Sequence, residues 1–157
     1  MPGPQVPWKT RTSWRAKLHK PIQPKLVPIS EGMAKRFGHG MMLIPTALQV
    51  DAMIRKIPRG QVTTLAEIRS RLARWHRVEI TCPLVTGIFL RIVAEAAEED
   101  RQAGRTDITP YWRVVGAEGQ LNAKFPGGVE EQAHRLRAEG QTIENGAVVL
   151  NRSAPAA

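Results

Sequence analysis

Cys82 is the single cysteine of the 157-residue chain. It stands at the start of a predicted helix, where the helix dipole favours a thiolate, so it could act as a nucleophile or as a redox-sensitive thiol. A free cysteine is more often simply buried, and burial is the preferred interpretation here. The four histidines are His19, His39, His76 and His134. Their spacing does not match that of metal ligands, so we expect neither a metal site nor a cofactor.

Two adjacent aromatic residues, Tyr111 and Trp112, could line a pocket that stacks a flipped or unpaired base. The alternative is that they fill the core beneath a β-hairpin, and the sequence leaves both interpretations open. Hydroxyl groups and the amides at helix starts suit the phosphate oxygens of a nucleic acid. The candidate contacts of this kind are Thr63, Thr64, Thr86 and Gly87.

The net charge of +9 is concentrated at the N-terminal end of the chain. Residues 1–40 contain eight Lys and Arg residues against the single acid Glu31, a net charge of +7, which leaves only +2 for the remainder. A basic, Pro-rich arm before a nearly neutral domain suits nucleic acid, an acidic partner or an anionic membrane surface, and the alternative is a solvated tail that binds nothing. Two tryptophans, Trp8 and Trp14, favour docking of part of the arm on the domain. Residues 32–40 are predicted to be a basic linker.

The cellular location is predicted from what the sequence lacks. The apolar runs are too short to span a bilayer, and residues 1–25 do not resemble a signal peptide, so we expect no membrane partner. With a single cysteine, no disulfide can form within the chain. We therefore expect a cytoplasmic location, at the nucleoid if the protein binds DNA.

The stretch at 81–97 is predicted to be the recognition helix of a small DNA-binding domain. Its apolar residues recur every three or four positions, which predicts one wide buried face. They are Leu84, Val85, Ile88, Phe89, Ile92, Val93 and Ala96. Thr81 is the predicted N-cap, and Pro83 suits the first turn. Gly87 indicates the close approach of another backbone, either a sugar-phosphate chain or a neighbouring helix.

Two further helices precede this one. Thr46 is predicted to cap a helix that continues to Ile57, residues 61–64 form a short extended segment, and Thr64 caps a helix over residues 65–74. Three helices in this order make a helix-turn-helix arrangement plausible.

The C-terminal part of the chain is predicted to add β-structure. Residues 108–115 and 120–122 are predicted to form a β-hairpin, the candidate wing. A last helix over residues 129–139 and a strand over 147–150 follow. The predicted fold class is therefore mainly α with a small β-hairpin, a winged helix-turn-helix domain. It occupies residues 41–150, preceded by a partly disordered basic arm at 1–40 and followed by a disordered tail at 151–157.

Five short motifs occur in order along the chain. They are IPRGQVTT at 57–64, VTGI at 85–88, PYWRVV at 110–115, GG at 127–128 and LRAEG at 136–140. Together they resemble the DNA-binding domain of alkylguanine-DNA alkyltransferases over about residues 46–143, with the alkyltransferase-like proteins most similar. The resemblance implies a winged helix-turn-helix that enters the minor groove and flips an alkylated guanine into a pocket beside a reactive cysteine.

The resemblance also assigns positions to individual residues. Tyr111 stands where the family has its acceptor cysteine, and Trp112 stands at the following histidine. Pro83 replaces the intercalating arginine, and Leu65 replaces the tyrosine that assists flipping. A phenol and an indole cannot replace an activated thiol, so alkyl transfer by the usual route is excluded.

Two other matches agree with the family, namely Arg113 and the glutamate Glu139. For Arg113 we prefer a structural role, in which it orients the recognition helix or bonds a carbonyl, over contact with phosphate. Alkyltransferase-like proteins also lack the cysteine, and bind lesions without repairing them.

The sequence thus predicts a non-enzymatic DNA-binding protein that resembles sensors of alkylated guanine and is linked to DNA repair. Its expected partner is double-stranded DNA, with or without alkylated guanine, and a repair protein is a second candidate. The predicted DNA contacts are Thr63, Thr64, Pro83, Thr86, Gly87 and Arg113. The predicted base pocket consists of Tyr111, Trp112 and Glu139. The alternatives are a winged-helix interaction module that has lost lesion recognition and a thiol enzyme that uses Cys82.

Overall fold

The computed structural model describes residues 13–150. Within this range the α-helices are α1 (Trp14–Leu18), α2 (Glu31–Phe37), α3 (Ala47–Arg55), α4 (Leu65–His76), α5 (Pro83–Gln102) and α6 (Gly128–Ala138). The strands are β1 (Lys25–Pro28), β2 (Met41–Ile44), β3 (Thr63–Thr64), β4 (Ile80–Thr81), β5 (Val114–Val115), β6 (Ile143–Glu144) and β7 (Ala147–Val148). A 3-10 turn spans Tyr111–Arg113. The observed fold is thus helical with small sheets, as predicted.

The long helix α5 lies at the centre and packs against α1, α3 and α4. The main core is formed by apolar side chains that are almost completely buried, including Leu43, Val50, Ile54 and Val93. Helices α3 and α4 begin where the sequence predicts. Thr46 forms a reciprocal capping box with Gln49 at the start of α3, and the Thr64 hydroxyl accepts from the Glu67 amide at the start of α4. These caps satisfy amides that would otherwise lack a partner.

The start of α5 differs from the prediction at its cap. Thr81 was expected to be the N-cap, but its hydroxyl donates to the Arg69 carbonyl at 2.8 Å, and Cys82 occupies the N-cap without a side-chain hydrogen bond. Thr81 is held in β4, where the chain pairs with β2, and its side chain therefore faces α4. Pro83 is the first helical residue, as predicted, because its missing amide hydrogen costs nothing there.

The basic arm contributes regular structure to the domain. β1 pairs antiparallel with β2, which pairs parallel with β4, so the sheet order is β1-β2-β4. Pro28 fits in β1 because that strand lies at the edge of the sheet. The linker predicted at 32–40 is wrong for most of its length, since α2 begins after the cap Ser30 and continues to Phe37. Ser30 is an ordinary N-cap, whose hydroxyl accepts from the Met33 amide, and it is a sequence signal for the start of α2.

The predicted hairpin of residues 108–122 is absent. β5 pairs parallel with β3, with Thr63 opposite Val114, and Gln120 forms an isolated antiparallel bridge with Ala147. The hairpin in this part of the fold is instead β6–β7, which closes through Asn145 and Gly146, both with positive φ. Asn-Gly is the preferred pair for a two-residue hairpin turn, and this signal places the hairpin later in the chain.

The docking predicted for the arm is observed at α1. Trp14 packs against the main core and Leu18 is buried in it. Trp8 and the predicted tail at 151–157 lie outside the described residues.

Candidate nucleic-acid interface

The first half of α5 presents an apolar stripe to solvent. Leu84 is 73% exposed and Ile88 is 54% exposed, and the exposed residues Gly87 and Arg91 share their side of the helix. The prediction that Leu84 and Ile88 belong to the buried face is therefore wrong. The buried face is centred on Thr86, Leu90 and Val93.

Gly87 borders open space. Apart from its chain neighbours and the adjacent backbone of α5, a side-chain carbon added at this position would meet no atom of the described chain within 4 Å. The close approach that the glycine suggests is therefore not to a neighbouring helix of the described chain, and the position is free for an external backbone.

A groove of about 750 Å³ runs beside this stripe. Four parts of the chain line it, namely α1, the start of α4, α5 and the loop at 122–125. The apolar wall includes Leu65, Ile92 and Phe125, whereas cationic groups come from Lys17, Arg91 and Lys124. A volume of this size is within the range of small-ligand sites.

Tyr111 lies beneath this surface and is only 1% exposed. Its ring meets Phe125 and Trp112 edge to face, with centroid distances of 5.1 and 5.3 Å. Its hydroxyl donates a 2.8 Å hydrogen bond to Glu98 Oε2. Burial and the Glu98 carboxylate raise the pKa of Tyr111 well above its usual value. The structure thus favours core filling over base stacking for this residue.

The Glu98 carboxylate is the centre of a charged network. Arg135 donates to Oε2 at 2.8 Å and Arg101 donates to Oε1 at 2.7 Å. Burial acts to raise the pKa of Glu98, but the hydrogen bonds from Arg101 and Tyr111, together with the charge of Arg135, outweigh it and hold that pKa below its usual value. The guanidinium of Arg135 also stacks over the Trp112 ring, 4.4 Å from its centroid. The network fixes both aromatic residues in place.

Trp112, Arg113 and Glu139 form a second cluster, which is mostly buried. Glu139 accepts from the Trp112 indole at 3.0 Å and from Arg113 Nε and Nη2 at 2.9 and 2.7 Å. Arg113 Nη1 also donates to the Ile57 carbonyl at 2.7 Å. Burial opposes the charge on Glu139, but the Arg113 and Trp112 hydrogen bonds lower the pKa of this carboxyl overall. Arg113 is thus mostly buried and structural, and the structure does not present it or Glu139 to DNA.

The predicted threonine contacts lie in different environments. Thr86 is fully buried, and its hydroxyl bonds the Cys82 and Pro83 carbonyls, so it is not available to a phosphate. Thr63 and Thr64 are half-buried in β3. Pro83 is half-buried at the start of α5. Of the predicted DNA contacts, Gly87 is the one that reaches the groove within residues 13–150.

Cys82 is buried, with 8% exposure, and lies outside the groove. Residues 13–150 contain no group of three or more His, Cys, Asp or Glu side chains that could hold a metal ion. No helix in the same range is long and apolar enough to cross a membrane.

Most residues that line the groove were not predicted to be site residues. Among them are Lys17, Arg91, Asn122, Lys124 and Phe125. The exposed side of α5 could have been found from the positions 84, 87, 88 and 91, which share one face at helical spacing and include a glycine and a cation.

The fold and surface define a helix-turn-helix protein, in which α4 and α5 are joined by residues 77–82 and the start of α5 is exposed. Residues 45–141 match the family described as 6-O-methylguanine DNA methyltransferase, DNA binding domain. The chain belongs to this family, as the five motifs predicted. Among solved structures, S. pombe Atl1 in complex with damaged DNA containing O6-carboxymethylguanine is similar, with 24% identity over 67% of this chain and 87% of that chain and a TM-score of 0.47. No significant match to a curated protein is found.

Proposed function

We propose that the protein is a non-enzymatic DNA-binding protein that senses alkylated guanine and acts in DNA repair. The observation that carries the proposal is the exposed stripe of α5, at the edge of a groove, in a domain of a DNA-binding family. In a repair context the chain would be expected at the DNA of the cell, in the cytoplasm of a bacterium. A repair protein is a second expected partner.

The stripe suits insertion into a DNA groove. Proteins that bind the minor groove frequently insert Leu, Ile or Pro between base steps, where these side chains unstack the bases. Leu84 and Ile88 provide two such side chains on one helical turn, and Gly87 between them lets a sugar-phosphate backbone approach. In this proposal the β6–β7 hairpin is the wing of the domain, and it contacts the phosphates beside the site where α5 inserts.

The groove beside the stripe suits a base that has left the duplex. An extrahelical base needs an apolar surface for its faces and cations near its phosphates. Leu65, Ile92 and Phe125 supply the apolar surface, and the cations come from Lys17, Arg91 and Lys124. This groove replaces Tyr111, Trp112 and Glu139 as the candidate base pocket, because the Tyr111 hydroxyl is bonded to Glu98 and the Trp112 indole is bonded to Glu139.

We propose that the protein does not transfer alkyl groups, because neither Tyr111 nor Cys82 is a suitable nucleophile. Tyr111 stands at the position that the family resemblance assigns to the acceptor cysteine, and its raised pKa keeps it a neutral phenol at neutral pH. A neutral phenol bonded to a carboxylate is a poor nucleophile. Cys82 is buried away from the groove, so the thiol does not take over the reaction.

The test compares two duplexes that differ only in one guanine, which is O6-methylated in one of them. We expect tighter binding to the methylated duplex, a loss of affinity with added salt because phosphate contacts release counterions, and an unchanged protein mass after incubation. Equal affinity would refute lesion sensing and leave a general DNA binder. A mass increase of one methyl group would refute the non-enzymatic assignment, and no binding at low salt would refute DNA binding.

A second function is favoured by one specific observation. The stripe of Leu84 and Ile88 is apolar rather than basic, and an exposed apolar patch surrounded by polar residues is also typical of a protein-protein contact. In that case the domain would bind a protein partner through α5. Binding to a defined partner that is lost in Leu84→Ser, with no binding of either duplex, would support this function over the first.

A further inference from the structure

Helix α1 precedes the segment that matches the family, yet it is bound tightly to α5. The Glu99 carboxylate accepts hydrogen bonds from the backbone amides of Trp14 and Arg15, at 3.1 and 2.8 Å. The Arg15 guanidinium pairs with Asp100 at 2.6 Å. Leu18 is buried at the other end of the helix. Together these contacts fix the position and direction of α1.

The same contacts change the role of the acids at the end of α5. Three consecutive acids, Glu98, Glu99 and Asp100, lie near the end of α5, and free carboxylates there would repel phosphate. In the structure each carboxylate is already engaged, Glu98 by Arg101, Arg135 and Tyr111 and the other two by α1. Glu99 and Asp100 therefore hold the cationic helix α1 against α5.

The docking places two cations around one tryptophan at the groove. Lys17 Nζ lies 4.3 Å from the centroid of the Trp14 ring, and the Arg91 guanidinium carbon lies 5.4 Å from it. All three residues line the groove. A cation over an indole ring is attracted to it, so Trp14 restrains Lys17 and Arg91 in a region that they would otherwise sample freely. The restraint lowers the entropy that these side chains lose when they bind an anion.

We infer that α1 is part of the DNA-binding surface, in which Lys17 contacts a backbone phosphate beside the groove and Trp14 is the positioning residue for Lys17 and Arg91. This inference rests on the proposed function and extends its interface beyond the family domain. It also explains why a cationic helix should be attached to a helix that already carries its own exposed stripe.

The first experiment uses a matched pair of variants, Lys17→Ala and Lys20→Ala. Each removes one charge from the same segment, but Lys20 does not line the groove. The affinity for the unmodified duplex is measured at several salt concentrations. For Lys17→Ala we expect the slope of log affinity against log salt to become less negative by about 0.9, the value for one lost phosphate contact. For Lys20→Ala we expect the wild-type slope.

A second pair tests the positioning role. Trp14→Leu keeps an apolar side chain and removes the ring, whereas Trp14→Phe keeps a ring. We expect Trp14→Leu to reduce the salt slope as Lys17→Ala does, and Trp14→Phe to restore most of it. A purely structural role would lower the melting temperature of Trp14→Leu without changing the slope of the folded protein.

The outcomes separate this inference from the proposed function. If the wild-type protein binds DNA and the slopes of Lys17→Ala and Lys20→Ala are equal, the inference is refuted and the proposed function stands. If the wild-type protein binds neither duplex at low salt, both are refuted. Since Lys17 is exposed, its variant tests the inference even if the Trp14 variants fold poorly.

Discussion

Replacement of Glu139 by glutamine removes the charge at the centre of the cluster that joins α6, the 3-10 turn and the end of α3. The carboxylate accepts three hydrogen bonds, one from Trp112 and two from Arg113. A neutral amide supplies one acceptor oxygen and turns a donor group towards the guanidinium. Arg113 has a side chain only 13% exposed, so it cannot recover the lost bonds from water.

The expected cost follows from the burial of the pair. Removal of one partner of a buried ion pair costs about 3–5 kcal/mol, because the remaining charge is left without compensation. For a chain of this size, 1 kcal/mol corresponds to about 2–4 °C, so the melting temperature of Glu139→Gln should fall by roughly 6–20 °C. The control is Glu144→Gln, an exposed residue, which should stay within about 0.5 kcal/mol of the wild type.

Urea denaturation of the wild type, Glu139→Gln, Arg113→Met and the double variant provides the assay. The double variant removes both charges, so it should be destabilised by less than the sum of the two single variants. If Glu139→Gln is as stable as Glu144→Gln, the cluster does not hold these elements together and the reasoning is wrong.

Three further predictions concern the exposed helix and the buried carboxylates. Gly87→Ala should stabilise the folded protein by about 0.5–1 kcal/mol, because alanine is the better helix former and its methyl group meets open space. The same methyl group should weaken DNA binding, because it obstructs the approach of the sugar-phosphate backbone. Thermal denaturation measures the gain in stability and duplex titration the loss of affinity, and unchanged affinity would contradict the role of Gly87. Leu84→Ser and Ile88→Ser, which alter exposed residues, should leave the melting temperature almost unchanged and lower duplex affinity, and equal affinity in both would argue against insertion of the stripe. Glu98 and Glu139 both have lowered pKa values in the folded state, so their contribution to stability is complete above the unfolded pKa near 4.5 and is lost as the pH falls through their folded pKa values. The free energy of unfolding should therefore decrease between pH 7 and pH 3. A free energy of unfolding that stays constant over this range would show that folding does not stabilise these carboxylates.

The central helices were predictable because their signals are local. Thr46 and Thr64 cap α3 and α4, and Pro83 begins α5, each by a backbone rule that acts within one helical turn. Asn145 and Gly146 carry an equally local signal for the β6–β7 hairpin, although the hairpin was predicted at residues 108–122.

The candidate site was less predictable because both sides of α5 carry apolar residues. Spacing alone places Leu84 and Ile88 with Val93, and burial is decided by α1, α3 and α4, which pack on the opposite side. The contact between Trp14 and Glu99 joins residues 85 positions apart and has no local signal. The burial of Tyr111 depends on Glu98 and Phe125, which are distant in sequence or in the following loop.

The pairing of β2 with both β1 and β4 affects how this protein should be shortened for experiments. A chain cut to the family segment would begin at residue 45 and would lose β1 and β2 together. Its β4 would then have no partner in the sheet, and the buried side of α5 that receives Trp14 and Leu18 would face water. Unpaired strand edges and uncovered apolar surface favour aggregation. The smallest autonomous folding unit is therefore expected to start before α1, and truncations guided by family boundaries would precipitate for reasons unrelated to DNA.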